Sequence, residues 1–143
     1  MTLFTNVIIS QKDVKNVVVA YKSNLGLYEL DSYAVRDIVL LPNKTQKETI
    51  EFTVFPGRRY KLIFCTTGVA GQLPLSIYDK PEGNKNRRKV YDNSNEIDNE
   101  FCSFEPKKIA TYYIECDIPT SGTNNNKGGK IVMLIGLQEN AEY

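Results

Sequence analysis

Side chains with oxygen atoms, four carboxylates and one serine, occupy alternate positions along one short stretch and could bind a cation. Asp92, Ser94, Glu96, Asp98 and Glu100 stand two residues apart there, and carboxylate oxygens are ligands that calcium prefers. The stretch does not follow the EF-hand template, because it lacks both the turn glycine and the closing glutamate. We therefore interpret it first as a solvated acidic loop. Calcium binding is the alternative, with Asp92, Glu96 and Asp98 as candidate ligands.

Basic side chains cluster just before this acidic stretch. The cluster consists of Lys80, Lys85, Arg87, Arg88 and Lys89. A single-stranded nucleic-acid site needs basic residues interleaved with aromatic stacking platforms, and one tyrosine adjoins this cluster. The whole chain has 18 Lys+Arg against 17 Asp+Glu, a net charge of +1, whereas nucleic-acid binders need a basic excess. We expect no nucleic-acid partner, and we favour ion pairing between the basic and acidic stretches over polyanion binding.

This chain lacks the residues that most enzyme mechanisms need. Histidine is absent from the 143 residues, which removes Ser-His and Cys-His catalysis and most catalytic zinc sites. Cys65, Cys102 and Cys116 lie in apolar stretches without a C-x-x-C pair. We expect buried free thiols, with one disulfide and a spare thiol as the alternative.

Other catalytic motifs are missing as well. The sequence contains no phosphate-binding loop, no nucleophile elbow and no identifiable carboxylate pair. We therefore expect a protein that is not an enzyme and that has no cofactor apart from the calcium alternative. A hydrolase that uses a carboxylate pair is kept as a further alternative.

The first secondary-structure element that the sequence predicts is one N-terminal helix. The apolar residues of its expected face are Val14, Val17, Val18, Tyr21 and Leu25. They recur at i, i+3, i+4, i+7 and i+11, which is helical spacing, and Gly26 follows where helices favour glycine. The spacing predicts a helix over about residues 11–25, in competition with a strand favoured by the β-branched run 17–19.

From residue 27 onward, short apolar or alternating segments are separated by turn residues, as in strands. The predicted strands are 27–35, 36–41, 49–55, 60–65, 73–79, 89–92, 100–104, 111–118 and 130–137. The last segment is apolar on both faces, which predicts a central strand. About eight or nine strands spaced roughly ten residues apart predict an all-β antiparallel β-sandwich, jelly-roll-like.

Several motifs from Phe52 onward resemble the bacterial pre-peptidase C-terminal type of β-sandwich. They are F-T-V (52–54), Y-K-L (60–62), L-P-L-S-I-Y-D (73–79), V-Y-D-N (90–93), F-E-P (104–106) and T-Y-Y-I (111–114). The chain is also similar to small uncharacterised sandwich proteins of Bacteroidetes, through Y-K-L-I-F-C (60–65) and V-M-L-I-G (132–136). The family resemblance implies a calcium- or ligand-binding accessory module, and it adds Asp79 to the candidate calcium ligands.

We expect one domain, with an N-terminal elaboration (1–35), a sandwich core (36–137) and a tail (138–143). The expected function is a non-catalytic binding or structural accessory protein of the bacterial cell envelope, as a subunit of a larger assembly. A calcium-dependent carbohydrate- or peptide-binding module is the alternative.

We expect the partner to be another protein, reached through loop ends and an exposed sheet face. The candidate contact residues are Tyr112, Tyr113, Arg87 and Arg88. The two tyrosines are adjacent on one predicted strand, so they must point to opposite faces. A periplasmic or cell-surface location follows from the resemblance, with the cytoplasm as alternative, because residues 1–9 lack signal-peptide features. No segment reaches the length of a membrane span.

Overall fold

A computed structural model of the protein describes residues 14–69 and 71–139. Residues 14–21 are α-helical, and a 3₁₀ turn follows at Lys22–Leu25. The predicted N-terminal helix is confirmed, and its expected start at residues 11–13 lies outside the described residues. Gly26 ends the turn with φ of 63° and ψ of −118°. Its φ is positive as expected, but its ψ lies outside the left-handed helical region.

Within the described residues, eight strands follow the helix. They are β1 (Glu29–Leu40), β2 (Gln46–Thr53), β3 (Arg58–Thr67), β4 (Leu75–Tyr78), β5 (Lys89–Asp92), β6 (Cys102–Phe104), β7 (Thr111–Ile118) and β8 (Lys127–Glu139). The segments predicted at 27–35 and 36–41 form the single strand β1. This strand continues without a turn residue through the boundary predicted at residue 36.

The strands form two antiparallel four-stranded sheets, which confirms the all-β antiparallel sandwich. The sheet β1-β8-β3-β6 is called here the helix-side sheet, and the sheet β2-β7-β4-β5 the loop-side sheet. Only β4 and β5 follow each other within one sheet, and every other connection crosses between sheets, which gives the jelly-roll order. β8 lies between β1 and β3, as its two apolar faces predicted.

The main core lies between the two sheets. Leu62 and Phe64 of the helix-side sheet meet Ile77 and Ile114 of the loop-side sheet in one buried cluster. These residues alternate along their strands with residues that point away from the core, as the pleat of a strand requires.

A second core lies on the outer face of the helix-side sheet. Ile63, Cys65, Val132 and Leu134 point outward from β3 and β8, and they are buried beneath the N-terminal segment. The segment covers them with the predicted helical face: Val14, Val17, Val18, Tyr21 and Leu25. This burial decides between helix and strand for residues 17–19, since only a helix places these apolar side chains on one face.

Two tyrosines fasten this segment to the flanks of β6. The Tyr21 hydroxyl donates to the Glu100 carboxylate at 3.0 Å, and its ring centroid lies 5.2 Å from that of Phe101. The Tyr28 hydroxyl donates to the Glu105 carboxylate at 2.7 Å. Burial and the Glu100 carboxylate raise the pKa of Tyr21 to about 12. In the described part of the chain, no helix is long and apolar enough to cross a membrane.

Candidate functional site

The β4–β5 connection, called here the 79–88 loop, is held in shape by its own hydrogen bonds. The Asp79 N–H donates to the Arg88 carbonyl oxygen at 3.1 Å, and Asp79 Oδ1 accepts the Arg88 N–H at 2.8 Å. Further along, Asn84 Oδ1 accepts the Asn86 N–H at 2.9 Å, which is an Asx turn. The loop therefore presents its side chains from a defined backbone.

Arg87 fastens this loop to the outer face of the loop-side sheet. Its guanidinium lies over the Tyr78 ring, 3.4 Å from the centroid, and forms an ion pair with Glu115 of β7. Glu115 points away from the core yet is only 6% exposed, because Arg87 and Lys47 cover it, the latter at 3.3 Å. Arg87, a candidate partner contact from sequence, retains 16% exposure of its side chain. The sequence did not predict the contact between Arg87 and Glu115, because the two residues are 28 positions apart.

The other cations of the 79–88 loop remain at the surface. Lys80, Lys85 and Arg88 line one cleft of about 500 Å³ together with Asp79, Asn86 and Arg87. None of these three cations has a carboxylate partner among the described residues. The expected pairing of the basic and acidic stretches is present in one contact, Lys89 with Asp92 at 3.7 Å.

Three of the four carboxylates proposed as calcium ligands accept hydrogen bonds, each from a different residue. These candidates are Asp79, Asp92, Glu96 and Asp98. Asp92 Oδ1 accepts the Ser94 hydroxyl at 2.6 Å and the Ser94 N–H at 3.0 Å, and both bonds lower the pKa of Asp92. Glu96 accepts the Tyr91 hydroxyl. Across residues 14–69 and 71–139, no three Asp, Glu, Cys or His side chains are grouped to hold a metal ion.

Asn93 fixes the start of the acidic loop, and sequence reasoning missed it. Its Nδ2 donates to the Leu73 carbonyl oxygen and its Oδ1 accepts the Leu75 N–H, both at 2.9 Å. The Asn93 N–H also donates to the Leu75 carbonyl oxygen at 3.1 Å. The side chain is buried and connects the end of β5 to the start of β4. The sequence carries no local signal for this role, because the bonded backbone groups lie 18 and 20 residues away along the chain.

The two adjacent tyrosines of β7 point to opposite faces, as predicted. Tyr112 is buried in the core, where its hydroxyl donates to the Lys108 carbonyl oxygen at 3.2 Å. Tyr113 is half-buried on the outer face of the loop-side sheet, in register with Tyr78. Of the four candidate partner contacts, Tyr113 and the exposed Arg88 are therefore the ones that reach the surface most fully.

The cysteines are free and buried, which confirms the expected state. Cys65 lies beneath the N-terminal segment, and Cys102 and Cys116 lie in the main core. Burial raises the thiol pKa to about 12 for Cys65, about 11 for Cys102 and about 12 for Cys116. At neutral pH all three are protonated and therefore poor nucleophiles.

Strand β1 forms a long edge of the helix-side sheet. It has 12 residues and pairs only with β8, from Glu29 opposite Leu137 to Leu40 opposite Lys127. In the part of the chain that the structure describes, no strand pairs with its other side. Tyr33 and Val39 are 45% and 48% exposed, so apolar surface accompanies this open edge.

No family model and no curated protein matches the chain. One solved structure that it resembles is described as "Bacillus endospore appendages form a novel family of disulfide-linked pili", with a TM-score of 0.31 and 14% identity over 77% of this chain and 87% of that chain. Another is the infectious bursal disease virus Gx strain, with a TM-score of 0.29 and 14% identity over 80% of this chain and 34% of that chain. Likenesses of this size carry no inference about activity, partner or location.

Proposed function

We propose that this protein is a non-catalytic binding or structural accessory protein of the bacterial cell envelope, joined to another protein along the open edge of β1. The observation that carries the proposal is the length of this edge strand. Backbone N–H and C=O groups on an open edge bind an added strand, while neighbouring side-chain positions give specificity. The envelope location is supported by the resemblance to pre-peptidase C-terminal modules.

The other three edge strands are protected in ways that β1 is not. β5 and β6 have four and three residues, and a short edge offers little template for pairing. β2 has eight residues, against twelve in β1, and includes Lys47, and lysine on an edge strand discourages unwanted pairing. β1 is longer than all of these and contains neither lysine nor proline.

The charged residues in the middle of β1 are already neutralised within the molecule. Arg36 lies 3.6 Å from Glu48 of β2, and Asp37 forms an ion pair with Lys130 of β8. A partner strand therefore meets no uncompensated charge between Tyr33 and Val39. The occupant that fits this edge is an extended segment of another polypeptide with apolar side chains opposite these two residues.

The proposal is tested by placing lysines on the edge. The double variant Tyr33→Lys/Val39→Lys is compared with Phe55→Lys/Ile109→Lys, whose original side chains are both 54% exposed and lie in loops outside β1. Each tagged variant is produced in its source cells, crosslinked mildly and purified. Light scattering then measures the molar mass of the complex.

We expect wild type and the loop variant to carry the same stoichiometric partner and the β1 variant to lose it, with equal melting temperatures. A complex that survives the β1 substitutions contradicts the proposal, as does a wild-type protein that stays monomeric.

A further inference from the structure

The cleft of the 79–88 loop has a charge that its own residues do not balance. Arg87 forms an ion pair with Glu115. The remaining charged residues that line the cleft are three cations, Lys80, Lys85 and Arg88, and one carboxylate, Asp79. That carboxylate already accepts the Arg88 N–H through Oδ1. Each of the three cations lacks a carboxylate partner within residues 14–69 and 71–139.

The cleft is also organised before any ligand arrives. Arg87 anchors the loop through Tyr78 and Glu115, and Lys47 ties Glu82 to the same sheet at 3.3 Å. Fixing a loop in advance removes much of the ordering cost of binding. A flexible basic loop would lack this advantage, so the anchoring distinguishes the cleft from an ordinary solvated turn.

The donors around the cleft match an oxyanion of the phosphate or sulfate type. Arginine presents a planar fork of N–H groups to phosphate or sulfate oxygens, lysine adds compact positive charge, and Asn86 lines the same cleft.

We propose that the 79–88 loop binds a phosphate-type oxyanion, presented as a phosphate or sulfate ester. This site is separate from the β1 edge, and it gives the protein a second, chemically different ligand. Lys85 and Arg88 are the principal contacts, because both are exposed, cationic and unpaired.

The test is a nuclear magnetic resonance titration of the full chain with pyrophosphate and with inorganic sulfate, at ionic strength held constant with sodium chloride. We expect the backbone amides of the 79–88 loop to shift in a saturable manner. Lys85→Gln/Arg88→Gln should weaken the affinity at least about tenfold, as expected from losing hydrogen bonds to a charged group. The control Lys107→Gln/Lys108→Gln removes the same charge from the exposed β6–β7 connection and should bind like wild type.

A second arm separates the sources of the oxyanion. Flotation with phosphatidylglycerol vesicles, against phosphatidylcholine vesicles, detects a lipid headgroup, and the pyrophosphate titration detects a soluble phosphate. Binding in either arm that depends on Lys85 and Arg88 supports the site. Absence of binding in both arms, or equal loss in the control variant, overturns it. The Tyr33→Lys/Val39→Lys variant should bind the anion normally, so failure of this site and failure of the β1 proposal give different results.

Discussion

At the scale of single residues, two buried polar side chains hold the surface loops on the loop-side sheet. Glu115 is covered by Arg87 and Lys47. The side-chain amide of Asn93 forms hydrogen bonds with backbone groups through both its Oδ1 and its Nδ2 atom. Neither was predicted from sequence, because each depends on a contact with a residue distant along the chain. Local patterns indicate where a strand or turn lies, whereas long-range polar pairs depend on the topology.

Arg87→Met should destabilise the protein by about 3 kcal/mol, because it leaves the Glu115 carboxylate buried without its main partner. The double variant Arg87→Met/Glu115→Gln should recover most of this loss, since replacing both members of a buried pair can be nearly neutral. Urea unfolding of the wild type and the single and double variants measures the free energies. If the double variant is as unstable as the single one, the ion pair is not what holds the loop.

Asn93→Asp should destabilise by about 2 kcal/mol, because a carboxylate oxygen replaces the Nδ2 donor that faces the Leu73 carbonyl oxygen. Asn95→Asp makes the same chemical change at an exposed position of the same loop. Thermal unfolding of both variants at pH 7 compares them. Equal melting temperatures would contradict the role assigned to Asn93.

At the scale of elements, the N-terminal segment is the part whose structure the sequence left most open. The helical spacing of its apolar residues could be seen in the sequence, but residues 17–19 also favour a strand. The structure decides for the helix, because the apolar face of the helix is buried on the outer face of the helix-side sheet. That face also accounts for β8, whose apolar residues on both sides serve two cores. The packing of the N-terminal segment on this sheet therefore explains both the helix and the two apolar faces of β8.

Gly136→Ala should destabilise by about 2 kcal/mol through overpacking between the N-terminal segment and β8. A Cβ at this position would lie 2.7 Å from the Leu25 Cδ2 atom and 3.0 Å from the Tyr28 Cβ atom. Gly128→Ala, on the same strand, adds a Cβ with no atom within 4 Å and serves as the control. Chemical unfolding measures both changes, and similar values would show that the segment does not pack closely here.

The segment should also loosen at alkaline pH. The pKa of Tyr21 is raised from 10.0 to about 12, so the protonated phenol stabilises the fold fully below about pH 10, and this contribution is lost as pH rises through about 12. Unfolding free energies between pH 8 and pH 12 should therefore fall less steeply for Tyr21→Phe than for wild type. Parallel curves would contradict this assignment.

At the scale of the whole molecule, the sequence predicted the class of fold and most strand positions. Strong local signals made this possible: β5 and β7 were predicted with the bounds they have, and a turn residue follows each of them, Asn93 after β5 and Pro119 after β7. The joining of two predicted strands into β1 was missed, because the apolar run after Arg36 resembled a new strand. That difference matters, because the joined strand is the long open edge that carries the proposed function.

The most direct measurement of the central claim is site-specific photocrosslinking in the source cells, with a benzophenone amino acid at position 33 in β1 or at position 55 in the β2–β3 loop. We expect one protein adduct from position 33 and none from position 55. An adduct from position 55 with none from position 33 would contradict this expectation and place the partner at the loop end of the sandwich.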